Sequence, residues 1–319
     1  MNTNLPLYAV VSPVRNEEEF LPRTVESLRQ QTHPPTWWVI VDDGSTDQTR
    51  KIAEQAAGRH PWIRLVNRPD RGFRQAGTGV VEAFYDGYAL VAGREWEYLV
   101  KLDGDVTLPA DYFEKCFARF SANQKLGIAG GTVCQRKHQG LEPESKVDPP
   151  FHVRGATKIY RRECWRQIGG LLRQPGWDTL DEVKANMLGW ITATFPEIQL
   201  EHHRPAGGAY GTWNNWVKNG VANYIAGYHP LFMAVKCLKR SLHPPVMIGA
   251  LGLGCGFLSG YLRGLGQVDD RDLIRYFRRQ QLARLLGRPS LWDRKPALLP
   301  AEPAGAHRQA TGQLASMAL

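Results

Sequence analysis

The five cysteines of this sequence, at 116, 134, 164, 237 and 255, are odd in number and contain no C-x-x-C pair. That count and the missing pair make reduced thiols in a cytosolic setting the expectation. No G-x-G-x-x-G follows the first apolar segment, which argues against a dinucleotide-binding dehydrogenase. No lysine-bearing glycine-rich signature stands there either, as a sugar nucleotidyltransferase would carry. Met1 to Leu7 has neither a basic run nor an apolar core, so no secretory leader is expected. Acidic residues are scarce near the C-terminus: Lys236 to Lys295 holds 12 Lys/Arg against 4 Asp/Glu, a surplus of 8 within a net charge of +9. So local an excess predicts an anionic surface as partner, such as phospholipid, and no nucleic acid.

What is present is a rhythm of short apolar runs and amphipathic segments. Tyr8–Ser12, Trp37–Val41, Ile63–Val66 and Tyr98–Leu102 read as strands, with helical spacing between them. Asn16 is expected to cap the first helix. Gly72–Gly79 reads as a glycine-rich loop. Strand, helix, strand, helix predicts an α/β fold with a mostly parallel sheet, whose strand C-termini form the ligand edge. The fourth strand ends in Asp103-Gly104-Asp105. Two carboxylates one residue apart suit a hard divalent cation that itself holds phosphates. Taken alone, the pattern also fits an acidic turn.

Three motifs in order, Val11-Ser-Pro13-Val-Arg15-Asn16-Glu17-Glu18, Val41-Asp42-Asp43-Gly44-Ser45-Thr46-Asp47 and Leu102-Asp103-Gly104-Asp105, make the sequence similar to the inverting family 2 of glycosyltransferases, of the type that builds bacterial polysaccharides. The resemblance covers roughly residues 5 to 205. It implies a GT-A fold, a mixed and mostly parallel sheet flanked by helices, with a Rossmann-like nucleotide half and an acceptor half. It implies that Pro13, Arg15 and Glu17 line the base and ribose, that Asp42 accepts a hydrogen bond from the base and that Asp43 supports that loop. Asp103 would meet the ribose or the metal, and Asp105 would coordinate Mn²⁺ or Mg²⁺ on the donor diphosphate.

The same resemblance expects an acidic pair where a later helix opens. Here Asp178, Asp181 and Glu182 compete for the role of general base, and Asp181 is the choice. A histidine after the strand Thr192–Leu200 would complete the metal shell. Alternation along a strand admits one of His202 and His203, and His202 is taken. Gln135–Pro150 reads as a polar loop and Gly207–Trp216 as a flap. The activity implied is transfer of a sugar from a nucleotide diphosphate to a lipid-linked or saccharide hydroxyl. A catalytically silent nucleotide-sugar binding module is the reading from another class.

The expected organisation is a catalytic domain over 1–205, a helical and membrane-associated region over 206–290 and a disordered tail over 291–319. Val246–Leu262 holds 17 residues without a charge, near the lower limit of the ~20 that a spanning helix needs. It is expected to span, to dip in, or to lie at the interface. Asp270–Leu286 reads as a basic amphipathic helix lying on an anionic membrane. The protein is therefore expected in the cytoplasm, peripheral or anchored at the inner face of the membrane.

Overall fold

The computed structural model describes residues 5–72, 78–137, 140–145, 148–204, 212–243 and 246–293. Half of the expected flap, the middle of the glycine-rich loop and most of the expected tail lie outside these residues. The chain runs β1 (Tyr8–Val14), α1 (Leu21–Arg29), β2 (Trp37–Asp42), α2 (Thr49–Arg59), β3 (Ile63–Asn67), α3 (Thr78–Tyr88), β4 (Tyr98–Leu102), β5 (Val106–Thr107) and α4 (Tyr112–Ala122). It continues through β6 (Leu126–Lys137), β7 (Gly140–Pro143), β8 (Thr157–Arg161), α5 (Arg162–Ile168), α6 (Trp177–Met187) and β9 (Ile191–His202). Four helices close it: α7 (Thr212–Ile225), α8 (Pro230–Ser241), α9 (Ile248–Leu262) and α10 (Arg271–Leu285).

The strands form one mixed sheet in the order β3-β2-β1-β4-β8-β6-β9-β5, with β7 paired to β6. β3, β2, β1 and β4 are parallel, as their helical crossovers require. Direction reverses at β8, which runs antiparallel to both β4 and β6. β1 is buried on both faces, so it reads as a continuous apolar run and not as an alternation. Tyr8 and Val10 join a core with Leu21, Leu28, Phe113 and Phe120 on one side of the sheet. Ala9 and Val11 join Val81, Phe84, Trp165 and Trp177 on the other.

The segment expected as the loop Gln135–Pro150 is in part a hairpin, β6 into β7. Polar side chains along exposed β6 ends hide a strand from a hydrophobicity pattern. The C-terminal helices share a third core with α6: Leu180 and Val183 meet Tyr224, Leu253, Leu273 and Phe277. No described helix is long and apolar enough to cross a membrane. α9 covers 15 residues, about 22 Å against a hydrocarbon core of about 30 Å.

Candidate active site

The β1–α1 and β2–α2 loops are zipped together at the sheet edge. Asn16 stands in the left-handed region at φ 55, which asparagine tolerates better than most residues. Its backbone N–H donates to Ser45 Oγ at 3.0 Å, and its Oδ1 accepts from the Thr46 N–H at 2.9 Å. Asn16 is therefore a loop clamp and not the helix cap expected; α1 begins at Leu21, after Phe20. Gly44, at φ +72, lies so near the Asp70 backbone that a Cβ would approach its Cα to 2.5 Å.

The carboxylates of the first two motifs are each held. Asp42, 2% exposed, accepts from the Ser45 N–H at 3.1 Å and so closes its own turn. Asp43 takes the guanidinium groups of Arg68 and Arg71. Arg15 donates to the Asp43 carbonyl and pairs with Asp70 at 2.7 Å. Pro13 and Arg15 are half-buried beside them. Glu17 is gripped by Arg204, with Nη1 to Oε1 at 3.0 Å and Nη2 to Oε2 at 2.8 Å. This fork ties the first loop to the end of β9.

β4 delivers Asp103 and Asp105, and antiparallel pairing of β5 with β9 brings Val106 opposite His202. One ligand atom each from Asp103, Asp105 and His202 falls within a 4.8 Å cluster. His202 Nε2 lies 3.4 Å from Asp105 Oδ1, and its Nδ1 lies 2.5 Å from Glu144 Oε1. A carboxylate on Nδ1 fixes the ring and leaves Nε2 for the cluster. Burial alone would lower the His202 imidazole, but Asp105 and Glu144 push it up to about 10. Burial likewise works to raise the Asp105 carboxyl, yet His202, Arg204 and Lys101 hold it below the usual range. His203 turns the other way, bonded to Thr107 Oγ1 at 2.8 Å and stacked on Phe20.

Two carboxylates and an oriented imidazole form a chemically apt donor set for Mn²⁺ or Mg²⁺. Glu144 was absent from the sequence reading, because it sits just past β7 in a segment without periodicity. It is itself held by Arg154 and, at 3.1 Å, by Gln135. Lys101 was also missed. On a buried strand it reads as an interruption, but its ammonium bonds Asp103 and the Gly155 carbonyl.

The three acids at the start of α6 part company. Asp181 is 2% exposed and lies inside the sheet–helix interface. Tyr160 donates to its Oδ2 at 2.6 Å, and Lys158 Nζ lies 2.9 Å from its Oδ1. Burial, and then the neighbouring Glu182 against the pull of Lys158, push the Asp181 carboxyl up to about 7. Burial opposes the Lys158 cation, but Asp181, Glu182 and Asp178 together raise it. Glu182 is fully buried, on His152 and the Val153 N–H. Asp181, the expected base, is thus enclosed by Tyr160 and Lys158 and shielded from solvent. Asp178, half-buried in the first turn, has its Cβ 3.9 Å from the place a side chain on Gly155 would take. Gly155 is the residue whose carbonyl receives Lys101, the partner of Asp103. Lys158 also bonds the Asp178 carbonyl.

Residues 9–172, 164 of the 319, match the family model described as glycosyl transferase family 2. The chain belongs to that family. A chondroitin synthase of Pasteurella multocida (strain Pm70) is 30% identical over 122 residues, 38% of this chain and 12% of that protein. The chain thus spans about an eighth of that relative's length. Among solved structures, the mannosyltransferase PcManGT of Pyrobaculum calidifontis, in complex with GDP-Man and Mn²⁺, aligns over 92% of this chain and 89% of its own. Its TM-score is 0.53 at 18% identity. TarS 1-349 of S. aureus, in complex with UDP-GlcNAc, aligns over 88% and 92%, with TM-score 0.51 at 16% identity. The GT-A architecture expected from the motifs is therefore the fold of this family 2 chain.

Proposed function

We propose that the chain transfers a sugar from a nucleotide diphosphate sugar to an acceptor hydroxyl with inversion, in the synthesis of a polysaccharide or glycolipid. The observation that carries this reading is the meeting of Asp103, Asp105 and His202 at the ends of β4 and β9, with Asp178 across Gly155. Asp103, Asp105 and His202 would hold Mn²⁺ or Mg²⁺. When bound, such an ion neutralises charge on the leaving diphosphate. Pro13, Arg15, Glu17, Asp42 and Asp43 form the nucleotide pocket, in which Arg15 and Arg204 fix the loops that meet base and ribose. Asp178 takes the proton from the acceptor hydroxyl as that oxygen attacks the anomeric carbon on the face opposite the diphosphate. Lys158 and the Gly155 turn set where its carboxylate stands.

The relatives support the reading through their names, a chondroitin synthase and a mannosyltransferase bound to its donor and Mn²⁺. The test is release of nucleotide diphosphate from a panel of GDP- and UDP-sugars, with Mn²⁺, chelator and saccharide acceptors. Release that needs both the ion and an acceptor is expected. A chain that binds a donor but releases nothing with any acceptor is a binding module, and the transferase reading falls.

A further inference from the structure

Among the described residues, nothing covers the apolar outer faces of α8 and α9. On α9, Ile248, Leu251, Leu258 and Leu262 are 46%, 53%, 60% and 88% exposed. With Cys255 they recur at helical spacing, so one stripe about 21 Å long faces outward with no charged side chain on it. α8 packs beside α9 and adds Leu238, with Leu242 just past its end, 68% and 77% exposed. Soluble chains rarely leave so large an apolar patch uncovered.

The helix cannot turn to hide this stripe. Its opposite side is glycine, and a Cβ on Gly256 would fall 2.0 Å from the Val217 carbonyl oxygen of α7. α10, which its pattern also placed on a membrane, points Leu273 and Phe277 into the third core and turns Arg271, Arg275 and Arg279 outward. Its apolar side is already used.

Charge selects the partner. No Asp or Glu occurs between Glu201 and Asp269, and Lys239 and Arg263 are the exposed cations that border the stripe in sequence, while Lys236 and Arg240 lie over the rings of Tyr228 and Trp216. A two-fold contact between copies would set this cationic surface against itself. An anionic bilayer meets the apolar stripe with its acyl boundary and the cations with its headgroups.

We propose that the α8–α9 face lies flat on an anionic phospholipid bilayer, inserted from one side without crossing it. The proposal does not depend on the transferase reading. Its test uses the full chain and vesicles of phosphatidylglycerol and phosphatidylcholine that hold no sugar acceptor. The chain should float with phosphatidylglycerol vesicles, weakly with pure phosphatidylcholine, and less as salt rises. Leu251→Glu and Leu258→Glu should each weaken vesicle affinity about tenfold or more. Both side chains are exposed, so the thermal transition should not move. A polarity-sensitive fluorophore on Cys255 should shift to the blue on binding. Protein that stays in the aqueous fraction, flotation unmoved by the two substitutions, or an unshifted label in the bound fraction overturns the proposal. A wild-type dimer that the substitutions dissociate, with no capture by vesicles, also overturns it and makes the face a self-association surface.

Discussion

Asp178 and Asp181 lie three residues apart on one helix in opposite surroundings, the first half-buried and the second enclosed beside Lys158. Asp178→Asn should keep donor affinity and melting temperature while transfer falls about a hundredfold or more, the usual weight of a positioned base. Asp181→Asn should cost roughly 3 kcal/mol of stability, because it removes one of two carboxylates that compensate a fully buried lysine. Turnover and denaturant melts on both variants separate the two; normal stability in Asp181→Asn with lost transfer would return the base to Asp181. A second pair of residues is divided in the same way at the cation cluster. His202→Ala should abolish Mn²⁺-dependent turnover, and Glu144→Gln should weaken Mn²⁺ affinity about 10- to 100-fold by freeing the imidazole ring. Titration with Mn²⁺ checks this, and an unchanged affinity in Glu144→Gln would remove it as the ring's anchor.

At the level of elements, α7 and α9 touch backbone to backbone, with Gly220 and Gly256 at the crossing. Gly256→Leu must force them apart and should destabilise the chain by about 1–3 kcal/mol or more, read as a lower denaturant midpoint. Whether these glycines serve a bilayer or a helix pair was not legible from composition, since close packing wants small residues in both settings. The strands were legible. β1 to β4 are local, apolar and bounded by turn residues, and their order follows from crossover geometry. β7 was not, because four half-buried residues carry no period. Alternation along β9 showed that one of His202 and His203 faces the cluster but not which, and the anchor Glu144 was not legible, since contacts 58 residues apart leave no local trace. The burial of Asp181 was not legible for a related reason: two acids in a helix start look solvent-directed until a buried lysine two elements away is known.

For the whole molecule, ligand and fold are linked. A nucleotide diphosphate with Mn²⁺ that bridges the β1 loop, β4 and β9 should raise the melting temperature, by about 2.7 kcal/mol of added stability at a hundredfold excess over Kd. Chelator should erase the ion-dependent part of the shift; a shift that survives chelation would mean that the nucleotide binds without the cation.

The β5–β9 pairing has a consequence for how the protein is made. Asp103 and Asp105 leave the ribosome early, in a half-sheet whose strands are neighbours in sequence. His202 and the Arg204 that grips Glu17 emerge about a hundred residues later, and long-range strand pairing of this kind forms slowly. A nascent chain that has completed the first four strands therefore holds acidic loops without the imidazole and guanidinium that balance them. On the proposed function, donor capture would wait until β9 slots between β6 and β5.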